Sequence, residues 1–176
     1  MTGLRHKEIS MSIAIQAATA RHKESGRHDF DFLHGRWRVH NRRLRQRLLG
    51  CTEWDSFEAT QYCQPLLDGL GNTDEMRNEA GPVGVSLRLF DLQARQWVIY
   101  WVAPHDGLLQ PPVRGAFAGG TGIFEGTDVH DGRPVRVRYI WSNTSGDTPQ
   151  WEQAYSADEG ISWENNWVMS FTRTEA

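Results

Sequence analysis

The chain has 176 residues and a formal net charge of -3, which suits one domain with a substantial core and argues against general nucleic-acid binding. It holds no apolar run long enough for a membrane-spanning helix, and its two cysteines, Cys51 and Cys63, are too few for a metal site and fit free thiols in a reducing cytoplasm, with a Cys51–Cys63 disulfide as the alternative. Its 8 tryptophans and 17 glycines favour a curved all-β sheet, with aromatics filling the inside and glycines making turns and bends.

Residues 1–28 read as an appendage, polar around one modest apolar run, Met11 to Ala20, that suits either a short helix or a frayed tail. The stretch SIAIQAATA is short and lies behind Glu8, so it does not read as a signal peptide. The folded domain is expected over 29–176. Phe30, Phe32 and Leu33 form an apolar turn that can lie across one end of a barrel. From Arg36 the residues alternate, with Trp37, Val39 and Asn41 on one face and Arg38, His40 and Arg42 on the other. Arg36, Arg38, Arg42, Arg43, Arg45 and Arg47 form the basic cluster. It reads either as a solvated strand face or as an anion clamp at a barrel mouth.

A second strand is expected over Glu53 to Cys63. Pro65, Gly69 and Gly71 then punctuate a segment in which Asn72, Asp74 and Glu75 make a polar knot, read as a turn or a pocket lining. Val85 to Phe90 and Trp97 to Val102 form a hairpin. The second of these strands is apolar on both faces, which asks for a second cover, either the N-terminal segment or a partner in a homodimer. Further strands follow at Val113 to Phe117, Ile123 to Val129 and Val135 to Trp141, with Asp131-Gly132 as a two-residue hairpin turn.

The last stretch, WEQAYSADEGISWENNWVMSFTR, reads as two strands around a turn in which Asp158 accepts backbone N–H groups, Gly160 takes a positive φ and Trp163 packs back. This spacing resembles the Asp box of sialidase-like proteins, a structural turn there, and it occurs once here. The sum is nine or ten short strands. That pattern predicts an all-β, single antiparallel up-and-down closed barrel with room for one small ligand.

The motifs FDFLHGRW with Arg42 and Arg43, GLGNTDE, SLRLFD, PPVRGAF and the C-terminal hairpin resemble those of calycin-like (lipocalin-like) β-barrel proteins of unknown function, over residues 29–176. The resemblance implies a closed barrel with an internal cavity and no particular reaction, with Gly35 and Trp37 plugging one end. The related nitrobindins hold haem through a late histidine. No histidine follows His130 here, so no haem or other cofactor is expected.

The candidate ligand-binding residues are the polar groups an aromatic cavity would surround, Asn72, Glu75, Arg138, Glu152 and Asn166, with Trp101, Trp141 and Trp167 as walls. Asp74, Gln153 and Trp151 belong to the same groups, and Arg138 with Glu152 also reads as a cross-strand ion pair. No HxH or HxxxH pair and no GxSxG elbow occurs, so no metal is expected. These features predict a cytoplasmic barrel that binds a small, largely apolar ligand, with a carboxylate met by an arginine. The alternatives are an enzyme using Glu75, Glu152 or Arg138 in a water-poor pocket, and a module that dimerises through Trp97 to Val102.

Overall fold

The computed structural model describes residues 26–174. The run Met11 to Ala20 lies outside the described residues. Ten strands follow in order: β1 (Gly35–Leu44), β2 (Trp54–Leu66), β3 (Gly71–Asn78), β4 (Gly81–Asp91), β5 (Gln96–Val102), β6 (Val113–Ala118), β7 (Thr121–His130), β8 (Arg133–Ser142), β9 (Gln150–Ser156) and β10 (Glu164–Arg173). Each pairs antiparallel with its neighbours in sequence, and β1 pairs with β10, from Trp37 opposite Arg173 to Arg43 opposite Trp167, so the sheet is a closed barrel. No helix of the described residues is long and apolar enough to cross a membrane.

Short turns make this meander possible. Gly119-Gly120 joins β6 to β7 and Asp131-Gly132 joins β7 to β8, and all four residues hold positive φ, as a two-residue hairpin turn requires. Between β9 and β10 the Ser156 hydroxyl donates to Asp158 Oδ1 at 2.7 Å, while the Ser162 N–H donates to the same oxygen at 2.8 Å. Gly160 sits at φ 92, and Trp163 Nε1 closes the loop on the Gly160 carbonyl at 3.0 Å. The segment from Ser156 to Trp163 is therefore a structural turn. Its hydrogen bonds, first those from Ser162, hold the Asp158 carboxyl down at about 2.

One end of the barrel is shut. Strand β1 points Trp37 inward, and Trp37 Nε1 donates to the Leu33 carbonyl at 2.7 Å, tying the short 3-10 turn Asp31–Leu33 across the opening. Phe30 sits fully buried inside this turn, edge-on to Trp97 and to Phe117 at 4.9 Å each. Such pairs add about 0.5–1.5 kcal/mol each beyond the area they bury. Arg173, at the end of β10, stacks over Trp37 at 4.1 Å and donates to the carbonyls of His34 and Phe32 at 2.8 Å and 2.7 Å. The first and last strands are thereby locked to the plug.

One feature departs from the sequence reading. The polar knot at Asn72, Asp74 and Glu75 is a full strand, β3, and not a turn: Asn72 and Asp74 point into the barrel, where Arg88 meets them, and Glu75 points out. Strand β4 is turned round relative to ordinary patterning, with Ser86, Arg88 and Phe90 buried and Val85, Leu87 and Leu89 only partly so on the outer wall. Opposite them on β5 stand Val102, Tyr100 and Val98, so an apolar ladder runs up the outside of this hairpin. Strands β5 and β6 pair at only three positions, and beyond these the loop of residues 103–112 folds back, Leu109 bridging to Val102 and the Gln110 N–H donating to the Trp101 carbonyl at 2.8 Å.

Candidate functional site

The end opposite the plug is open, and from it a cavity of about 680 Å³ runs into the barrel. Inward positions of successive strands build its walls: Ile99 and Trp101 on β5, Val137 and Tyr139 on β8, Trp151 on β9, and Trp167 and Met169 on β10. Trp141 and Phe171 form the floor. Trp167 is the hub, with Trp101 edge-on at 5.7 Å and Trp151 edge-on at 5.4 Å, and Tyr139 in turn meets Trp151 at 4.9 Å. Three indoles and a phenol thus brace one another as a rigid wall, and Trp167 Nε1 is fixed by Asn41 Oδ1 at 2.9 Å. Trp101 lies on bare backbone, since a Cβ at Gly84 would come within 2.1 Å of its ring.

Set into this wall is a polar group. Arg88 Nη1 donates to Asn72 Oδ1 at 3.0 Å and to the Asp74 carboxylate, and its guanidinium lies 5.4 Å from the centre of the Phe30 ring. Burial pushes the Asp74 carboxyl up, against the pull of Arg88. Cys63 beside them is a buried free thiol, pushed up to about 12 by the same burial, which makes it inert as a nucleophile. Gln61, Ser86, Arg88 and Gln153 all reach the cavity surface. Gln61 Nε2 and Arg88 Nε have no protein acceptor among the described residues.

Arg43 and Arg47 stand at the mouth. Arg43 continues the inward face of Trp37, Val39 and Asn41, and its guanidinium lies over the ring of its cross-strand partner Trp167, 3.8 Å from the ring centre, with Phe57 at 5.4 Å. Arg47 donates to the Tyr155 hydroxyl at 3.2 Å. Burial, and then the like charge of Arg47, bring the Arg43 guanidinium down to about 10.

Of the residues picked out from sequence, Trp101, Trp141 and Trp167 face the cavity. Asn72 and Asn166 are buried behind its surface, Asn72 against Arg88 and Asn166 accepting from Gln153 Nε2 at 2.7 Å. Asn166 turns inward because a bulge between Asn165 and Trp167 breaks the alternation of β10. Glu75, Arg138 and Glu152 are on the outer wall, which corrects their placement in the cavity. Glu75 pairs with exposed Arg77 at 2.6 Å, and Glu152 accepts from Asn165 at 2.8 Å. Arg138 lies over Trp163 at 4.1 Å rather than against Glu152. The residues missed were Arg88, Gln61 and, as a pair apart from the rest of the basic cluster, Arg43 and Arg47. Among the described residues no three His, Cys, Asp or Glu side chains come together in a way that could hold a metal ion.

No family model matches the chain. No curated protein matches it either. Among solved structures it is similar to the crystal structure of Rv2717c from M. tuberculosis, with a TM-score of 0.50 and 14% identity over 84% of this chain and 98% of that one. At that identity the likeness speaks for the fold alone.

Proposed function

We propose that the barrel binds one small, largely apolar molecule in its cavity, as a calycin-like protein would. The observation that carries this is the cavity itself, about 680 Å³, open at one end and walled by Trp101, Trp151, Trp167 and Tyr139. Protein interiors are close-packed, and a space of this size falls within the usual range of about 300–1,000 Å³ for small-molecule sites. Polar groups at its surface, Gln61, Ser86, Arg88 and Gln153 inside and Arg43, Arg47 and Asp128 among others beyond them, would orient such a ligand against the aromatic wall. The outward placement of Glu75 and Glu152 takes away the acid–base pair on which an enzyme reading rested. Calorimetric titration with N-phenyl-1-naphthylamine, a neutral apolar probe, tests the proposal. One site per chain with a negative heat-capacity change supports burial in the cavity; weak uptake at many sites refutes it.

A second reading has its own observation. Val85, Leu87 and Leu89 with Tyr100 and Val102 form a half-buried apolar strip on the outer wall of β4 and β5, beside the buried Val98. We propose that a second copy of the chain covers it, strip against strip. Sedimentation equilibrium checks this: a dimer that Leu87→Arg converts to a monomer supports it, and a monomer at high concentration overturns it.

A further inference from the structure

We infer that Arg43 and Arg47 hold an anionic group of the cavity's ligand at the open end, so that the molecule bound is an amphiphile with an apolar body and a carboxylate-like head that faces outward. The inference rests on the apolar-ligand reading above and adds to it the charge of the ligand and its orientation.

The argument begins with counter-charges. An arginine that enters an apolar wall ordinarily takes a carboxylate with it, because an unpaired buried charge is costly. Arg88 does this with Asp74. Among the described residues Arg43 and Arg47 have no such carboxylate, although both are partly buried and lie close enough to repel each other. The carboxylates within range are otherwise engaged. Asp55 stands directly across from Arg43 on β2, but it accepts from Arg45 Nε at 2.7 Å. Glu53 binds the same Arg45 at 2.8 Å. Glu164 accepts the Leu48 N–H at 2.7 Å. Asp128 and Asp106 also line the cavity: Asp128 accepts the Val129 N–H at 2.7 Å and acts electrostatically on the same Tyr155 as Arg47, Asp106 is held by Gln110 at 2.9 Å, and among the described residues neither forms an ion pair with Arg43 or Arg47.

The donors are also in place. Arg43 Nε is buried and has no acceptor among the described residues. Contact of the guanidinium with the Trp167 ring restrains it at the cavity wall, so an incoming anion meets a held cation rather than a mobile chain. Arg47, steadied by the Tyr155 hydroxyl, is the second cation. The inner end is different: Arg88 is already neutralised by Asp74, so an anion there gains little. Charge therefore selects the outward orientation, with the apolar body against Trp101, Trp151 and Trp141.

Two dyes that share one aromatic body separate this inference from the reading beneath it. 8-Anilinonaphthalene-1-sulfonate carries an anion, and N-phenyl-1-naphthylamine does not. The wild type is expected to bind the sulfonate about tenfold or more tighter, as charge-assisted hydrogen bonds give. Arg43→Gln and Arg47→Glu should each remove most of that preference, read as the ratio of the two dyes' affinities in the same variant, whereas Arg43→Lys, which keeps the charge, should retain part of it. Circular dichroism identifies any variant that fails to fold, and Arg47→Glu, at the rim, tests the inference independently of packing on Trp167. Equal affinity of the wild type for the two dyes, or parallel losses of both in the variants, overturns the inference and leaves the apolar-ligand reading standing. Failure of both dyes to bind the wild type sinks that reading and this one together.

Discussion

Arg88 on β4 and Asp74 on β3 bury opposite charges against each other inside the barrel, their side chains 5% and 1% exposed, with Asn72 as the third member. Removing one partner leaves the other charged and enclosed. Asp74→Leu and Arg88→Met should each cost about 3–5 kcal/mol in urea unfolding, and the double variant should cost clearly less than either alone. A double variant whose loss equals the sum of the two would show that the charges do not act as a pair.

Gly84 and Trp101 make a second coupled pair. A methyl group at position 84 would overlap the Trp101 ring, and Gly84 has no positive φ to complicate the change. Gly84→Ala should cost about 1–3 kcal/mol and push Trp101 into the cavity. The near-ultraviolet dichroism of the indoles should change, and uptake of the neutral dye should fall. An unchanged dichroism spectrum with unchanged dye affinity would place Trp101 elsewhere.

The Asp158 turn gives a pH dependence with a definite sign. Its carboxyl is held at about 2 in the fold, below the ordinary value of 3.8. A depressed carboxyl contributes stability that is fully present above its unfolded pKa and is lost as pH falls through the folded one. Asp158→Ala should therefore melt below the wild type at pH 7, with the gap closing between about pH 4 and pH 2. A gap that persists below pH 2 would assign the effect to packing rather than to the charge.

Much of this architecture is legible in the sequence, and the parts that are not share a cause. Strands such as Val135 to Trp141 announce themselves because apolar residues recur at every second position and turn residues bound them. Strand β3 does not, because the barrel interior opposite Arg88 is polar and, of its inward residues Asn72, Asp74 and Met76, only the last is apolar. The same polar interior turns β4 round. The alternation that places Tyr139 and Trp141 inside already places Arg138 outside, and the alternation of Trp37, Val39 and Asn41 already places Arg43 inside. Face, more than strand, was the missing step for those residues. Asn166 needed the bulge in β10, and Arg47 needed the path of a loop, neither of which periodicity shows.

The central claim is that a ligand sits among the indoles, and filling that space is the most direct test of it. Ile99→Trp and Val137→Trp together add two large rings from two walls of the cavity without changing charge. Fluorescence titration with the neutral dye should show one saturable site in the wild type and a loss of about tenfold or more in affinity in a folded double variant. Undiminished binding in that variant would put the dye outside the barrel and contradict the account.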